Sequence, residues 1–138
     1  MKKVNFIVPL LLILIVTGGC IQSSESISVS IEADREIYAT MMSSVQGITF
    51  SAVLSNGIPE KEIVYQWIAS DGIFIKTTSD HITNNGNSVL WNPINLDSTS
   101  ATGTTIITLN VRDKQTNKIL VKNSLKIEFD NQTYRVLK

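Results

Sequence analysis

Beyond residue 26 the apolar side chains recur every second residue. Ile27, Val29 and Ile31 alternate with Ser28, Ser30 and Glu32. Ile48, Phe50, Ala52 and Leu54 alternate with Thr49, Ser51 and Val53, and Tyr65 and Trp67 flank Gln66. Ile107, Leu109 and Val111, then Leu125, Ile127 and Phe129, repeat the pattern. A strand sends successive side chains to opposite faces, so this spacing builds half-buried strands, whereas a helix needs apolar positions three and four apart. The runs are rich in Ile, Val, Thr and aromatic residues, which suit a pleated surface.

Turn residues separate the runs. Ser55-Asn56-Gly57-Ile58-Pro59 ends the second run, and Asn84-Asn85-Gly86-Asn87 precedes Ser88–Trp91. Asp71-Gly72 between Ile63–Ala69 and Ile73–Thr77 predicts a tight hairpin, and Asp113–Lys118 links the last two strong strands. Asp34–Val45 reads as a loop with a short edge strand. At 138 residues one domain is expected, over residues 27–138. The expectation is an all-β fold, an antiparallel β-sandwich of about seven strands; a closed barrel would give the same alternation.

The first 19 residues read as an address. Lys2 and Lys3 precede an uncharged run of 11 residues, Phe6–Val16, followed by Thr17-Gly18-Gly19 and the only cysteine, Cys20. The run is too short to span a bilayer, and the order of charge, apolar stretch and small residues is that of a secretory signal. Val16-Thr17-Gly18-Gly19-Cys20 resembles the lipobox of bacterial lipoproteins, with Thr17 where most members carry Leu, Val or Ile. That resemblance implies cleavage before Cys20 and a lipid thioether on Cys20, with palmitate-like chains anchoring the protein outside the cytoplasm to a bacterial membrane. An ordinary signal peptide and an uncleaved signal-anchor are the alternatives. Residues 20–26 are then a lipidated Cys and a polar tether, about 17 Å long at most over its five or so free residues.

Gly47-Ile48-Thr49-Phe50-Ser51-Ala52, Tyr65–Phe74 with Trp67 and Asp71-Gly72, Trp91-Asn92-Pro93, and Thr105–Asp113 together resemble an immunoglobulin-like domain of bacterial surfaces, near the PKD-like group. The resemblance covers Gly47 to Phe129. Gly103-Thr104 stand where that family commonly has a tyrosine at the start of its sixth strand. It implies a spacer, adhesive or partner-binding module. The period-two strand predicts Trp67 as a core anchor, and Pro93, which limits the strand of Trp91, predicts that ring packed at one sandwich end.

Charge and chemistry narrow the function. The counts of Lys+Arg and Asp+Glu are equal at 12 each, which gives no global reason to expect nucleic-acid binding. Residues 21–100 hold 3 basic and 9 acidic side chains, and residues 101–138 hold 7 and 3. This asymmetry is expected to be two sheet faces complementing each other, with a binding surface as the alternative. One His and one Cys provide no His pair, no multi-Cys zinc site and no converging acid–base groups, so no enzyme, metal or cofactor is expected. Ser79, Asp80 and His81 do not form a relay, since neighbours on a strand point to opposite faces. Asp71, Asp97 and Asp113 read as turn formers rather than Ca²⁺ ligands, because calcium needs 6–8 oxygens in one place. Asn131-Gln132-Thr133 matches a glycosylation acceptor, chemistry not expected of a bacterial lipoprotein.

The expected function is a lipid-anchored, non-catalytic module that binds an envelope protein or polymer or acts as a spacer. Asn84, Asn85, Asn87, Lys114 and Lys118 are the candidate binding-loop residues, with the membrane-distal end favoured for recognition. The Lys cluster could meet anionic headgroups or an acidic polymer, or simply solvate a strand edge. An inhibitor or immunity-type lipoprotein, inserting Asn84–Asn87 or Leu96–Gly103 into a secreted hydrolase or toxin, is the alternative.

Overall fold

The computed structural model describes residues 26–41, 46–55, 59–75 and 80–138. The leader, Cys20, most of the tether and Ser79 lie outside the described residues. Ten strands follow in order: β1 (Ser28–Ala33), β2 (Ile37–Ala39), β3 (Ile48–Ser55), β4 (Ile63–Ala69), β5 (Ile73–Ile75), β6 (Ile82–Thr83), β7 (Ser88–Asn92), β8 (Thr104–Asp113), β9 (Ile119–Asp130) and β10 (Thr133–Leu137). All pairings are antiparallel. One sheet has the order β1-β3-β7-β5, the other β2-β10-β9-β8-β4-β6. The chain is therefore an open two-sheet sandwich and not a closed barrel. Within it, β1-β3-β7-β5 against β9-β8-β4 is the four-plus-three strand order of an immunoglobulin sandwich.

The alternating residues face inward as the period requires. Ile48 and Phe50 from β3, Trp67 from β4, Phe74 from β5, Trp91 from β7 and Ile107, Leu109 and Val111 from β8 are at most 1% exposed. Trp67 alone removes about 150–250 Å² from water, a gross gain of roughly 4–6 kcal/mol before ordering costs. Its indole Nε1–H is not orphaned: it donates to the Gly86 carbonyl at 3.0 Å.

Three features depart from the sequence reading. Among the described residues there are ten strands where about seven were expected: β6 and β10 are short additions at or near the sheet edges, while β2 is the short edge strand expected within Asp34–Val45. Asp71-Gly72 is not a hairpin turn. β4 pairs with β6 and β8 in one sheet while β5 pairs with β7 in the other, so these two residues carry the chain across the sandwich. Gly72 is required there twice over, by φ 72° and because an added Cβ would stand 2.5 Å from Trp91 Nε1. Asn131 and Gln132, with φ 45° and 67°, form a two-residue turn that joins β9 to β10 with Asp130 opposite Thr133. The glycosylation-like triplet is thus a hairpin.

Tyr134 on β10 fills the gap left at Gly103-Thr104. Its ring is 2% exposed, edge-on to Trp91 with centroids 5.6 Å apart, and its hydroxyl donates to the Ala101 carbonyl at 2.9 Å. Phe129 and Tyr38 lie against the same ring, at 4.9 and 6.3 Å between centroids.

Candidate functional site

Register divides the functional residues between two ends of the sandwich. Ser28 opposes Ser55, Ile63 opposes Asp113, and the chain enters the sheet at this end. Here the β6–β7 loop brings Asn84 and Asn87 beside Lys114 of the β8–β9 turn. They line one shallow depression of about 320 Å³ with Glu60, Val64 and Tyr65. Asn84, Asn85, Asn87, Lys114 and Lys118 are all exposed. Of the five, Asn84, Asn87 and Lys114 line this depression, at the end of the sandwich where β1 begins.

Local chemistry makes the entry-end turn stiff. Asp113 Oδ1 accepts the backbone N–H groups of Gln115 and Thr116, at 3.0 and 2.6 Å, and the Thr116 hydroxyl at 2.8 Å. These bonds, that from the Thr116 N–H foremost, hold the Asp113 carboxyl below its ordinary range. Asn117 completes the turn at φ 57°.

The opposite end is built around the crossover at Asp71-Gly72. Trp91 Nε1–H donates to the Asp71 carbonyl at 2.9 Å. Asp71 Oδ1 accepts the Gly72 N–H at 2.8 Å and the Asn95 Nδ2–H at 2.9 Å. His81 Nδ1 lies 2.7 Å from the Gly72 carbonyl oxygen. A carbonyl only accepts, so Nδ1 carries the proton and the imidazole acts here as a clasp. Asp97 Oδ1 accepts the N–H of Thr99 at 3.0 Å, and its carboxyl is held below the ordinary range, chiefly by the Thr99 hydroxyl and then by that N–H. Ser98 N–H donates to the Asn95 carbonyl at 3.0 Å and Asn95 N–H to the Thr99 carbonyl at 2.8 Å, and Ile94 bridges Ser100, so the loop is braced along its length. It presents Leu96 at 68% exposure.

Asp71 and Asp97 line the same depression of about 440 Å³, with Asp80, His81 and Asn95. Asp113 is at the other end, a full strand away, so the three aspartates weighed as calcium ligands do not converge. Among the described residues no group of three or more His, Cys, Asp or Glu side chains is placed to hold a metal ion.

The charge asymmetry resolves differently from the expectation. Among the described residues the ion pairs are Arg35–Asp34 and Lys138–Glu36, and only the second joins the basic C-terminal part to the acidic N-terminal part. The acids sit mostly in end loops and crossovers, the bases mostly on β8, β9 and β10 and their turns. The two parts do not neutralise each other across sheet faces.

No described aromatic ring offers a flat face to solvent. Trp67, Trp91, Tyr38, Tyr65, Tyr134, Phe50 and Phe74 are all buried, and Phe129 is half-buried against Tyr134. Comparison of the chain with family models, with curated proteins and with solved structures returns no match.

Proposed function

We propose that this chain is an extracytoplasmic module, held to a membrane through lipid on Cys20, that binds a partner without catalysing a reaction. The observation that carries this reading is the position of Ser28. The chain passes from the lipobox-like segment through a short polar tether directly into one end of a rigid sandwich. Such an anchor sets the loops around Lys114 against the bilayer and directs the loops around Asp71 and Leu96 outward. Two acyl chains at roughly 0.8 kcal/mol per buried CH₂ suffice for stable retention.

The polar side chains support a binding role. The carboxylates of Asp71, Asp97 and Asp113 and the Nδ1 of His81 are engaged with backbone or side-chain partners that shape turns. The immunoglobulin-like strand order belongs to a fold that hosts many partner-binding modules, and kinship with the PKD-like group is part of this proposal. The intact mass of the protein from the membrane fraction tests it. A chain starting at Cys20 and carrying a diacylglyceryl mass is expected; retention of Met1, or an unlipidated Cys20 terminus, would overturn it.

Leu96 favours a second reading, an inhibitor or immunity-type protein. A braced loop that exposes Leu96, and Ile94 less fully, suits insertion into a cleft. This reading predicts that a soluble hydrolase or toxin is recovered with the protein from envelope extract and is lost with Leu96→Ser. Recovery of a wall or membrane component, insensitive to that change, favours the first reading.

A further inference from the structure

The outer face of the six-stranded sheet carries a line of cations that have no ion-pair partner among the described residues. Register fixes which side chains share that face. Gln66, Asn110 and Lys122 lie abreast across β4, β8 and β9; Thr108 and Ser124 lie abreast one step along, and Ile106 and Lys126 one step further. Arg112 stands on the same face of β8, two residues beyond Asn110, where a β-bulge sets it opposite Ile119. Lys118 lies in the turn, on the far side of a β-bulge, and the regular strand from Lys122 to Lys126 is four residues long, about 13 Å. The Thr108 and Ser124 hydroxyls bond each other at 3.0 Å, and Asn110 Nδ2–H donates to Gln66 Oε1 at 3.1 Å, so the floor between the cations is polar and already paired at these points. Among the described residues Lys118, Lys122 and Lys126 have no ion-pair partner.

Lys126 is not edge protection: it lies on a strand paired on both sides, with Ile106 and Leu137, and its side chain leaves the sheet perpendicular to its plane, whereas β9 at Lys122 is paired on the β8 side. The segregation is also stronger than the net charge requires. Without its leader the chain holds 10 bases and 12 acids, yet the charged side chains of this row up to Lys126 are all basic, the acids Glu128 and Asp130 following only at its far end.

We propose that this face binds a flexible linear polyanion, tracking β9 from Lys118 past Arg112 and Lys122 to Lys126. A line favours a chain over a plane. A bilayer lying flat on the face would also meet Glu128 and Asp130 at the far end of β9, where like charge opposes anionic headgroups. A polymer leaving the sheet at Lys126 avoids both. Three of the four cations are lysines, compact point charges without bidentate geometry, and Arg112 Nη1 is turned to Asn117 Oδ1 at 3.3 Å. Recognition is therefore by charge spacing, and phosphate and carboxylate polymers are both accepted.

The test uses the full chain as purified from the producing cell in neutral detergent, so it does not depend on whether Cys20 is lipidated. Fluorescent long-chain polyphosphate and poly-L-glutamate are titrated in, beside neutral bicelles and bicelles doped with anionic lipid. Expected are saturable binding of both polymers, a fall of at least tenfold between 50 and 300 mM salt, and a further loss of about tenfold or more in Lys122→Glu/Lys126→Glu. Lys61→Glu, at the entry end and outside this face, should lose less than twofold and Lys126→Glu alone clearly more, with both single variants unfolding at the wild-type temperature. Absence of polymer binding, equal losses in Lys61→Glu and Lys126→Glu, or tighter binding to anionic bicelles than to polymer at equal charge concentration would each overturn the proposal.

Discussion

Tyr134 on the last strand donates its hydroxyl to the carbonyl of Ala101, 33 residues earlier, at 2.9 Å. Ala101 itself is fully buried, with its N–H on the Pro93 carbonyl at 2.7 Å. The bond ties the C-terminal hairpin to the connection that leads into β8. In the immunoglobulin arrangement a tyrosine near the start of the corresponding strand makes such a bond locally. Here the ring arrives from the other direction, through β10, and occupies the same corner.

Tyr134→Phe keeps the ring against Trp91 and Phe129 but leaves a buried carbonyl without its donor. A loss of about 1–3 kcal/mol in unfolding free energy is expected from chemical denaturation. Tyr134→Ala should cost about 3–5 kcal/mol, since the cavity adds to the lost bond. Equal stability of Tyr134→Phe and wild type would contradict the role given to the hydroxyl.

Much of this corner could not be read from the sequence. Tyr134 and Val136 do alternate, but a run of five residues after Asn131-Gln132 offers too short a period to stand out. The missing local tyrosine pointed to a gap; only the return of β10 beside β9 identifies what fills it. Asp71-Gly72 erred for a different reason. Its residues specify a bend with positive φ, and they do so correctly, but a bend does not say which sheet the next strand joins. That choice is made by Trp91, whose indole docks on the Asp71 carbonyl from 20 residues away. The long alternating runs, and Trp67 with them, were legible because burial on one face leaves little freedom of register. The candidate loop residues were legible as exposed polar turns; their shared end was not, because it depends on how β6 pairs with β4.

Gly72 and Gly86 both have positive φ, 72° and 78°, but only Gly72 is crowded. Gly86→Ala should cost about 1–2 kcal/mol, the price of a left-handed alanine. Gly72→Ala must also displace the Trp91 indole, so its urea midpoint should fall well below that of Gly86→Ala. Matching midpoints would show that the close approach to Trp91 does not constrain the crossover.

The Asp113 turn predicts an acid dependence. Its carboxyl is depressed in the folded protein, first by the Thr116 N–H, so it binds a proton less readily folded than unfolded. The stabilisation is therefore fully present above the unfolded value, near pH 4, and disappears as pH falls through the lower folded value. NMR titration of the Asp113 carboxyl should give a midpoint below that ordinary value. The stability gap between wild type and Asp113→Asn should close on acidification to pH 2; a gap that stays constant from pH 6 to pH 2 would remove the turn from the account.

Orientation at the membrane is what the functional reading stands on. β8 runs ten residues between the two ends, about 33 Å, enough to separate a bilayer-facing probe from an outward one. A fluorophore is placed at Gln115 or at Asp97 in the anchored protein, in vesicles containing headgroup-quencher lipid. Strong quenching at Gln115 and little at Asp97 is the predicted result. Equal quenching at both positions, or the reverse order, would contradict an anchor at Cys20 that holds the entry end of the sandwich against the bilayer.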